Sequence, residues 1–407
     1  MIRNRIKNTL SNLFENGSTM NLLICLMWAS EFSLVYINGI LNKLPFIRDI
    51  KEPLLYIGLI IIIIGSLPQF LKRLHYVDYL FYFACVVMYL MQFTLYPQNS
   101  QVLSEYMFMC VISAMPCYFL GKSMNIQRIL HSLYMFSLLS IAMDVFYFLI
   151  YGHMAIGQHL QDVDMYYMHK AYALVPHIML VFWFAMQKTN KWNITFLIIG
   201  CLLLISYGTR GPMLALLAFI LMYILFYTNN RKTKIFTIFL VLVASALIYF
   251  TPDIILYLTQ LIDNWGLSTR IIEKMIEGDI FDDSGRENLR TTLLNLMDRN
   301  PTNHYGYGIL GSYFYIGTYP HNIILDFIFC FGYYIGGVLL LILSYIFIKG
   351  VKSAQTNDEK LFAILLLSAI IIKLFFSSTF IRESLFYMAI GYCTQLIRNR
   401  HYCLNKK

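Results

Sequence analysis

Two arginines in the second half of the chain have a spacing that suits the binding of an anion. They lie in the segment DDSGRENLRTTLLNLMDRNP, which opens with Ser284 and Glu287 at the spacing of a capping box and closes with a proline. This pattern predicts a helix near residues 285–299. On such a helix Arg286 and Arg290 are one turn apart, so both guanidinium groups point in the same direction.

The same face of the predicted helix also carries apolar side chains. Since an α-helix turns by about 100° per residue, Leu293 and Met297 fall beside Arg286 and Arg290. The arginines therefore face the protein or the membrane surface, where they could bind a diphosphate through paired donors. They could instead lie along the apolar surface and pair with the acidic Asp282–Asp283 sequence just before the helix.

A histidine marks the point where this polar stretch meets the next apolar segment. In the sequence GTYPHNIILDFIF, His321 lies between Pro320 and Asn322 at the expected start of a helix. The N-terminal end of a helix favours an anionic neighbour and a neutral imidazole. A neutral imidazole could act there as a general base, although a histidine at such a place could also have a purely structural role.

Glycine alternates with tyrosine in the segment HYGYGILGSYFYIGTYPHN, which leads up to this histidine. Glycine allows tight turns and a close approach of the backbone, and tyrosine offers a flat face and a hydroxyl group. The combination suits a carbohydrate, although an aromatic belt at a membrane interface would look similar. Tyr319, the tyrosine nearest to His321, is a predicted substrate-binding residue.

The composition of the chain is that of an integral membrane protein. Of its 407 residues, 58% are hydrophobic and only 13% are charged, and the mean hydropathy is +0.61. The eight cysteines are scattered without a CxxC pattern, mostly within apolar segments, so we expect buried thiols and neither disulfides nor a metal site. The net charge of +9 reflects the orientation of the chain in the membrane, and we predict no nucleic-acid partner.

The hydropathy pattern predicts an all-α integral membrane fold of about twelve transmembrane helices, since each crossing needs about 20 apolar residues. If both termini lie in the cytoplasm, most of the 31 lysines and arginines fall on the inner side, as the positive-inside rule requires. The candidate spans lie near residues 20–41, 53–71, 76–96, 102–121, 130–151, 169–187, 192–206, 211–228, 234–251, 322–348, 361–379 and 384–397.

One connection is much longer than the others. Residues 252–321 separate spans nine and ten, and cytoplasmic termini place this loop on the outer face of the membrane. The predicted organisation is therefore nine spans within 1–251, an outer loop over 252–321 that contains the amphipathic helix, and three spans with a basic cytoplasmic tail over 322–407.

Further charged residues are predicted near the outer face. Arg210, in SYGTRGP, and Arg382, in STFIRES, lie at the outer ends of spans, and Lys170 lies at the edge of another span. Charged residues within or beside a membrane are candidates for a functional site. Together with Arg286 and Arg290 they could supply several cations to one anionic ligand, although any one of them could belong to a structural salt bridge. The sequence suggests no role for Glu31, Asp78 and Asp144.

The motifs and their order resemble those of the O-antigen polymerase and O-antigen ligase superfamily of bacterial membrane glycosyltransferases. The resemblance rests on SYGTRGP with Arg210, on SGR with Arg286, and on GYG followed by YPHNIILDFIFCFGYYIGG with His321 and Asn322. A large outer loop before the tenth of twelve spans agrees with it. The resemblance covers roughly residues 200–350, and the first half of the chain is similar only in hydropathy.

The resemblance implies a GT-C-like, metal-independent glycosyltransferase that needs no cofactor. Its donor would be an undecaprenyl-diphosphate-linked oligosaccharide, and its active site would face the periplasm or the exterior of the bacterial cytoplasmic membrane. Arg210 and Arg286 would hold the diphosphate, and His321 would activate the acceptor hydroxyl or stabilise the leaving group. The predicted catalytic residues are therefore His321, Arg210 and Arg286, and the predicted substrate-binding residues are Arg290, Asn322, Tyr319, Arg382 and Lys170.

Polymerisation of repeat units into O-antigen or a related surface polysaccharide is the predicted function. An O-antigen ligase, which transfers the finished chain to the lipid A–core, is the alternative within the same superfamily. A polysaccharide or lipid-linked sugar transporter is the alternative from another class, but transporters usually have two related halves and functional charges near the midplane. The expected partners are the lipid bilayer, the lipid-linked oligosaccharide, and a chain-length regulator or another polysaccharide-assembly protein.

Overall fold

The protein is described by a computed structural model, which covers residues 18–29, 51–155, 160–188, 190–207, 210–227, 286–299 and 305–404. Within these ranges the chain forms helices and no strands, which confirms the all-α prediction. The α-helices are α1 (Ser18–Trp28), α2 (Lys51–Arg73), α3 (Tyr76–Leu95), α4 (Ser100–Met107), α5 (Cys117–Ser123), α6 (Ile126–Ala155), α7 (Leu160–Gln187), α8 (Lys191–Ser206), α9 (Arg210–Tyr227), α10 (Arg286–Arg299), α11 (Gly311–Ile316), α12 (Ile323–Ser353), α13 (Asn357–Phe376) and α14 (Ser384–Leu404). The predicted ninth span, most of the predicted outer loop, and both Ser284 and Glu31 lie outside the described residues.

Five of the described helical segments are long and apolar enough to cross a membrane: Tyr76–Leu95, Pro97–Ser123, Ile126–Phe146, Arg210–Tyr227 and Ile323–Ser353. Large apolar side chains on these and other helices are exposed, such as Ile60, Leu80 and Leu341. Apolar surface of this extent suits contact with lipid and not with water. The chain is thus a helical membrane protein, and the count of twelve spans stays a prediction.

The chain divides into two compact units. One consists of Met1–His75 and Ser123–Tyr207, and the other consists of Tyr76–Lys122 and Gly208–Lys407. In the first unit α7 packs against α6 and α8, while α1 packs against α2 and α6. A buried polar contact ties three of these helices together, because Ser137 Oγ accepts from Trp28 Nε1 at 3.1 Å and lies 3.0 Å from His177 Nδ1.

In the second unit a buried carboxylate joins α3, α5 and α14. Asp78, which is 3% exposed, accepts a hydrogen bond from the Tyr118 hydroxyl at 2.9 Å. Its two oxygens also lie 3.2 Å from Lys122 Nζ and 3.3 Å from Arg398 Nη1. A carboxylate is costly to bury unless it is paired and hydrogen-bonded, so Asp78 has a structural role that the sequence did not reveal.

The predicted span near residues 322–348 corresponds to the long apolar helix Ile323–Ser353, but the helix is interrupted at Gly332. There the backbone leaves the helical region, with φ 79° and ψ 168°, so α12 consists of two helical halves. The break frees the carbonyl groups of Phe329 and Cys330, which in an unbroken helix would accept from the amides four residues later. They accept instead from the backbone amides of Tyr307 and Gly308, at 2.8 and 3.0 Å.

The glycines of the GYG sequence allow the chain to approach this break. Gly306 has φ 77°, and a Cβ atom there would lie 2.4 Å from the amide nitrogen of Gly332. Gly308 has φ 81°, and a Cβ atom there would lie 2.6 Å from the ring of Tyr96. The tyrosine between them is buried, and its ring stacks on Phe329 with centroids 4.5 Å apart. Tyr307 is therefore a core residue, not a surface for carbohydrate.

We predict that Gly306→Ala destabilises the protein much more than Gly317→Ala does. Both glycines have positive φ, so either substitution strains the backbone by about 1–2 kcal/mol. A Cβ atom at Gly317 has nothing within 4 Å, whereas one at Gly306 collides with the backbone of Gly332 and Phe329. Thermal unfolding of the purified variants in detergent measures the difference. Equal losses would show that backbone strain alone matters and that the close approach is unimportant.

Candidate active site

The helix that carries the paired arginines forms over Arg286–Arg299, where the sequence predicts it. Leu293 and Met297 are buried, at 0% and 6% exposure, and the two arginines on the same face are half-buried. The residues predicted on the opposite face are exposed, namely Glu287, Asn288, Thr291, Asn295, Asp298 and Arg299. The periodicity therefore identified correctly which face of α10 packs against the protein.

Tyr307 connects α10 to the broken helix. Its ring packs with Leu293, Met297, Leu325 and Phe329 in one buried cluster. Its hydroxyl group donates to the backbone carbonyl of Leu296 at 2.6 Å. The position of α10, and with it the position of both arginines, is thus set by packing against α12 and by the hydrogen bond from Tyr307.

His321 lies immediately before Asn322, the residue that precedes α12, and has an unusual backbone conformation. Its φ of 52° lies in the left-handed region, which is unfavourable for a residue with a side chain. Contacts on two sides hold it there. Arg290 Nη2 donates to the backbone carbonyl of His321 at 3.4 Å, and His321 Nδ1 lies 3.0 Å from the backbone carbonyl of Phe376.

The contact with Phe376 determines the tautomer of the neutral imidazole. A carbonyl oxygen can only accept a hydrogen bond, so Nδ1 carries the proton and donates it. The other ring nitrogen, Nε2, then keeps its lone pair. One ring nitrogen of His321 is therefore anchored to the protein, an orientation that suits the predicted general base.

Asn322 is the N-cap residue of α12. Its side-chain oxygen accepts from the backbone amides of Ile324 and Leu325, at 2.9 and 3.2 Å. These bonds satisfy two donors that a helix start leaves without an intrahelical partner. The cap accounts for the residue on structural grounds, and its binding of substrate stays a prediction.

Tyr319 lies at the centre of the predicted site residues. It is 5% exposed, its hydroxyl donates to the backbone carbonyl of Ser377 at 2.7 Å, and its ring centroid is 4.2 Å from that of His321. The guanidinium carbon of Arg382 lies 5.1 Å from the Tyr319 ring centroid. Burial raises the pKa of the Tyr319 hydroxyl, whereas Arg382 and Arg286 both act to lower it. Arg382 thus lies against this ring.

The segment between α13 and α14 forms the other side of the site, and it contains residues that the sequence did not indicate. Lys373 Nζ lies 2.8 Å from a carboxylate oxygen of Glu383, and the hydroxyl of Ser378 donates to the other oxygen. Burial alone would raise the pKa of Glu383, but Lys373, Ser378 and Arg382 together hold it below its usual range. Glu383 is thus ionised within a group of cations. The only sequence signal was its position beside Arg382.

A second buried carboxylate ties this segment to α12. Asp326 is 3% exposed and accepts from the hydroxyl of Thr379 at 2.7 Å. The ring of Phe380 stacks on that of Phe327, with centroids 4.0 Å apart. These contacts hold the segment in place, so that the carbonyl of Phe376 is available to His321.

Arg210 is placed at the same level as the site by the packing of α9 on α13. These two helices pack along each other, and Lys360 Nζ lies 5.0 Å from the ring centroid of Phe226. Arg210 precedes Phe226 by 16 residues and Phe376 follows Lys360 by 16 residues, a helical distance of about 24 Å in each case. The two helices are therefore antiparallel, and Arg210 is level with Phe376, the residue that anchors His321.

Lys170 belongs to the other compact unit, where it pairs with a carboxylate. It is 3% exposed, and its Nζ lies 4.0 Å from a carboxylate oxygen of Asp144 on the neighbouring helix α6. This ion pair gives Asp144 a structural partner. The predicted contact of Lys170 with substrate stays a prediction.

Residues 194–341 match a family model described as O-antigen ligase. The predicted resemblance to the O-antigen polymerase and ligase superfamily is confirmed. The match covers about a third of the chain and includes Arg210, Arg286, Arg290, Tyr319, His321 and Asn322, whereas Lys170 and Arg382 lie outside it. No curated protein and no solved structure gave a significant match.

Proposed function

We propose that this protein is a glycosyltransferase that joins undecaprenyl-diphosphate-linked oligosaccharide repeat units into a surface polysaccharide. The observation that carries the proposal is the arrangement around His321: Arg290 donates to its backbone carbonyl, Arg382 lies over the neighbouring ring of Tyr319, and Nδ1 of His321 is anchored to the carbonyl of Phe376. In this proposal the chain has about twelve spans in a GT-C-like arrangement, both termini lie in the cytoplasm, and the site faces the outside.

The reaction needs one base and a group of cations. An acceptor hydroxyl oxygen attacks the anomeric carbon of the donor sugar, and the bond between that carbon and the diphosphate oxygen breaks. The hydroxyl proton passes to Nε2 of His321, while the electron pair of the broken bond leaves with undecaprenyl diphosphate. The arginines stabilise the charge that develops on this leaving group, and preorganised charges of this kind are a major source of catalysis.

The surroundings of His321 suit its proposed role as the base, with the arginines as the cations that stabilise the leaving group. Arg290 donates to the backbone carbonyl of His321, and Arg382 lies over the ring of Tyr319, whose centroid is 4.2 Å from that of the imidazole. A neutral imidazole is the form that can accept the proton of the acceptor hydroxyl.

An O-antigen ligase is the second candidate, because the matching family model carries that description. The same site chemistry would then transfer a completed chain to the lipid A–core. The two activities differ in the acceptor molecule. The described residues of the site are suited to binding the diphosphate and to supplying a base, which both activities need.

The length profile of the surface polysaccharide, separated on a gel, tests the proposal in a strain that lacks this gene. A polymerase predicts that the profile collapses to core with a single repeat unit. Loss of all repeats from the core, with long chains left on the lipid carrier, would indicate the ligase. An unchanged profile would contradict both and favour a transporter.

We predict that Arg286→Ala and Arg290→Ala each abolish chain extension while the amount of protein in the membrane stays the same. Each substitution removes a cation from the leaving group, and the loss of one such electrostatic contact typically slows a reaction about 10²–10³-fold. Arg299→Ala is the matched control, because it removes the same charge from the exposed face of the same helix. Polysaccharide of normal length from either of the first two variants would exclude their role with the diphosphate.

His321→Asn separates the chemical role of the imidazole from its backbone conformation. Asparagine tolerates the left-handed region better than most residues, so the fold is retained, but its side chain cannot take up a proton. We expect activity to fall about 10²–10⁴-fold with the thermal unfolding temperature close to that of the parent protein. Near-normal activity of this variant would instead assign His321 a structural role.

A further inference from the structure

Glu383 is a buried carboxylate beside the predicted anion site, and its hydrogen-bond partners explain how it can be buried there. Glu383 is 7% exposed and has the side chains of Lys373 and Ser378 on its two oxygens. Burial of an unpaired carboxylate would be costly, so these contacts are needed for the fold. They also fix the hydroxyl of Ser378, because a carboxylate can only accept and the hydroxyl must therefore donate.

The fixed hydroxyl of Ser378 in turn orients Arg382. With its proton directed at Glu383, the Ser378 oxygen presents lone pairs, and it accepts from Arg382 Nε at 3.4 Å. The guanidinium group is also held from one face by the ring of Tyr319, at 5.1 Å. One nitrogen and one face of Arg382 are thus engaged with the protein.

The remaining donors of Arg382 are its two terminal Nη groups. No residue in the described part of the chain accepts a hydrogen bond from either of them. A guanidinium that is held at Nε and presents both Nη groups has the geometry that suits two phosphate oxygens. Lys373, by contrast, is engaged by Glu383, which removes it from the set of cations open to a ligand.

We propose that Ser378, oriented by Glu383, is a positioning residue that directs the Nη groups of Arg382 toward the diphosphate of the substrate. The inference rests on the proposed function, since it supplies a third guanidinium beside Arg286 and Arg290. Neither Ser378 nor Glu383 touches the reacting atoms in this arrangement. Their effect on the reaction passes through Arg382.

Binding of inorganic pyrophosphate to the purified protein, measured by isothermal titration calorimetry, tests the inference. Ser378→Ala removes the bond to Arg382 and leaves the Lys373–Glu383 ion pair, and we expect about tenfold weaker binding. Thr379→Val is the matched control, because it removes a neighbouring hydroxyl that holds the same segment through Asp326 and has no contact with Arg382. It should lower the unfolding temperature and leave pyrophosphate binding within about twofold of the parent.

A double-mutant cycle distinguishes positioning from a general structural effect. In the Arg382→Ala background, Ser378→Ala should cause no further loss of pyrophosphate binding, because the group it orients is absent. Additive losses, or equal weakening by Thr379→Val, would overturn the inference, and so would a parent protein that does not bind pyrophosphate. The polysaccharide length profile of the gene-deletion strain is independent of this measurement, so failure of the positioning role is distinguishable from failure of the proposed function.

Discussion

The break in α12 at Gly332 is the constraint on which the rest of the site depends. Backbone carbonyls that are freed within a membrane protein must find donors inside the protein, because lipid offers none. The amides of Tyr307 and Gly308 meet this need, and they can reach the break only because Gly306 has no side chain. This backbone contact fixes Tyr307, whose hydroxyl and ring then hold α10 and its arginines.

The break in α12 also determines the position of the segment between α13 and α14, which forms the other side of the site. Because α12 is interrupted, its first half is a short helix that begins at the Asn322 cap and carries Asp326 one turn later. Asp326 holds Thr379, and this contact places the backbone carbonyls of the α13–α14 segment beside the site. The carbonyl of Phe376, at the end of α13, accepts from His321, and that of Ser377 accepts from Tyr319. Backbone acceptors, which cannot be lost by substitution, thus set the orientation of both side chains.

The sequence predicted what is local and missed what depends on distant partners. The buried face of α10 follows from helical periodicity, and the capping role of Asn322 follows from its place before an apolar segment. The break at Gly332 could not be predicted, because glycine is common in unbroken transmembrane helices and this break needs a loop that precedes it by more than twenty residues. For the same reason the pattern of glycine and tyrosine did not distinguish Tyr307, whose ring stacks on Phe329, from Tyr319, whose ring lies against Arg382.

The electrostatics of the site suit the anion of the proposed reaction. Arg290 Nη2 donates to the uncharged backbone carbonyl of His321, and a phosphate oxygen of the proposed substrate would offer the same guanidinium group a charge-assisted bond. Arg382 is held by an aromatic face and a hydroxyl group, neither of which carries a negative charge. Glu383, the carboxylate nearest to it in sequence, is engaged with Lys373. The positive charge of Arg382 is therefore retained, and contacts within the fold hold the left-handed backbone of His321, the proposed base.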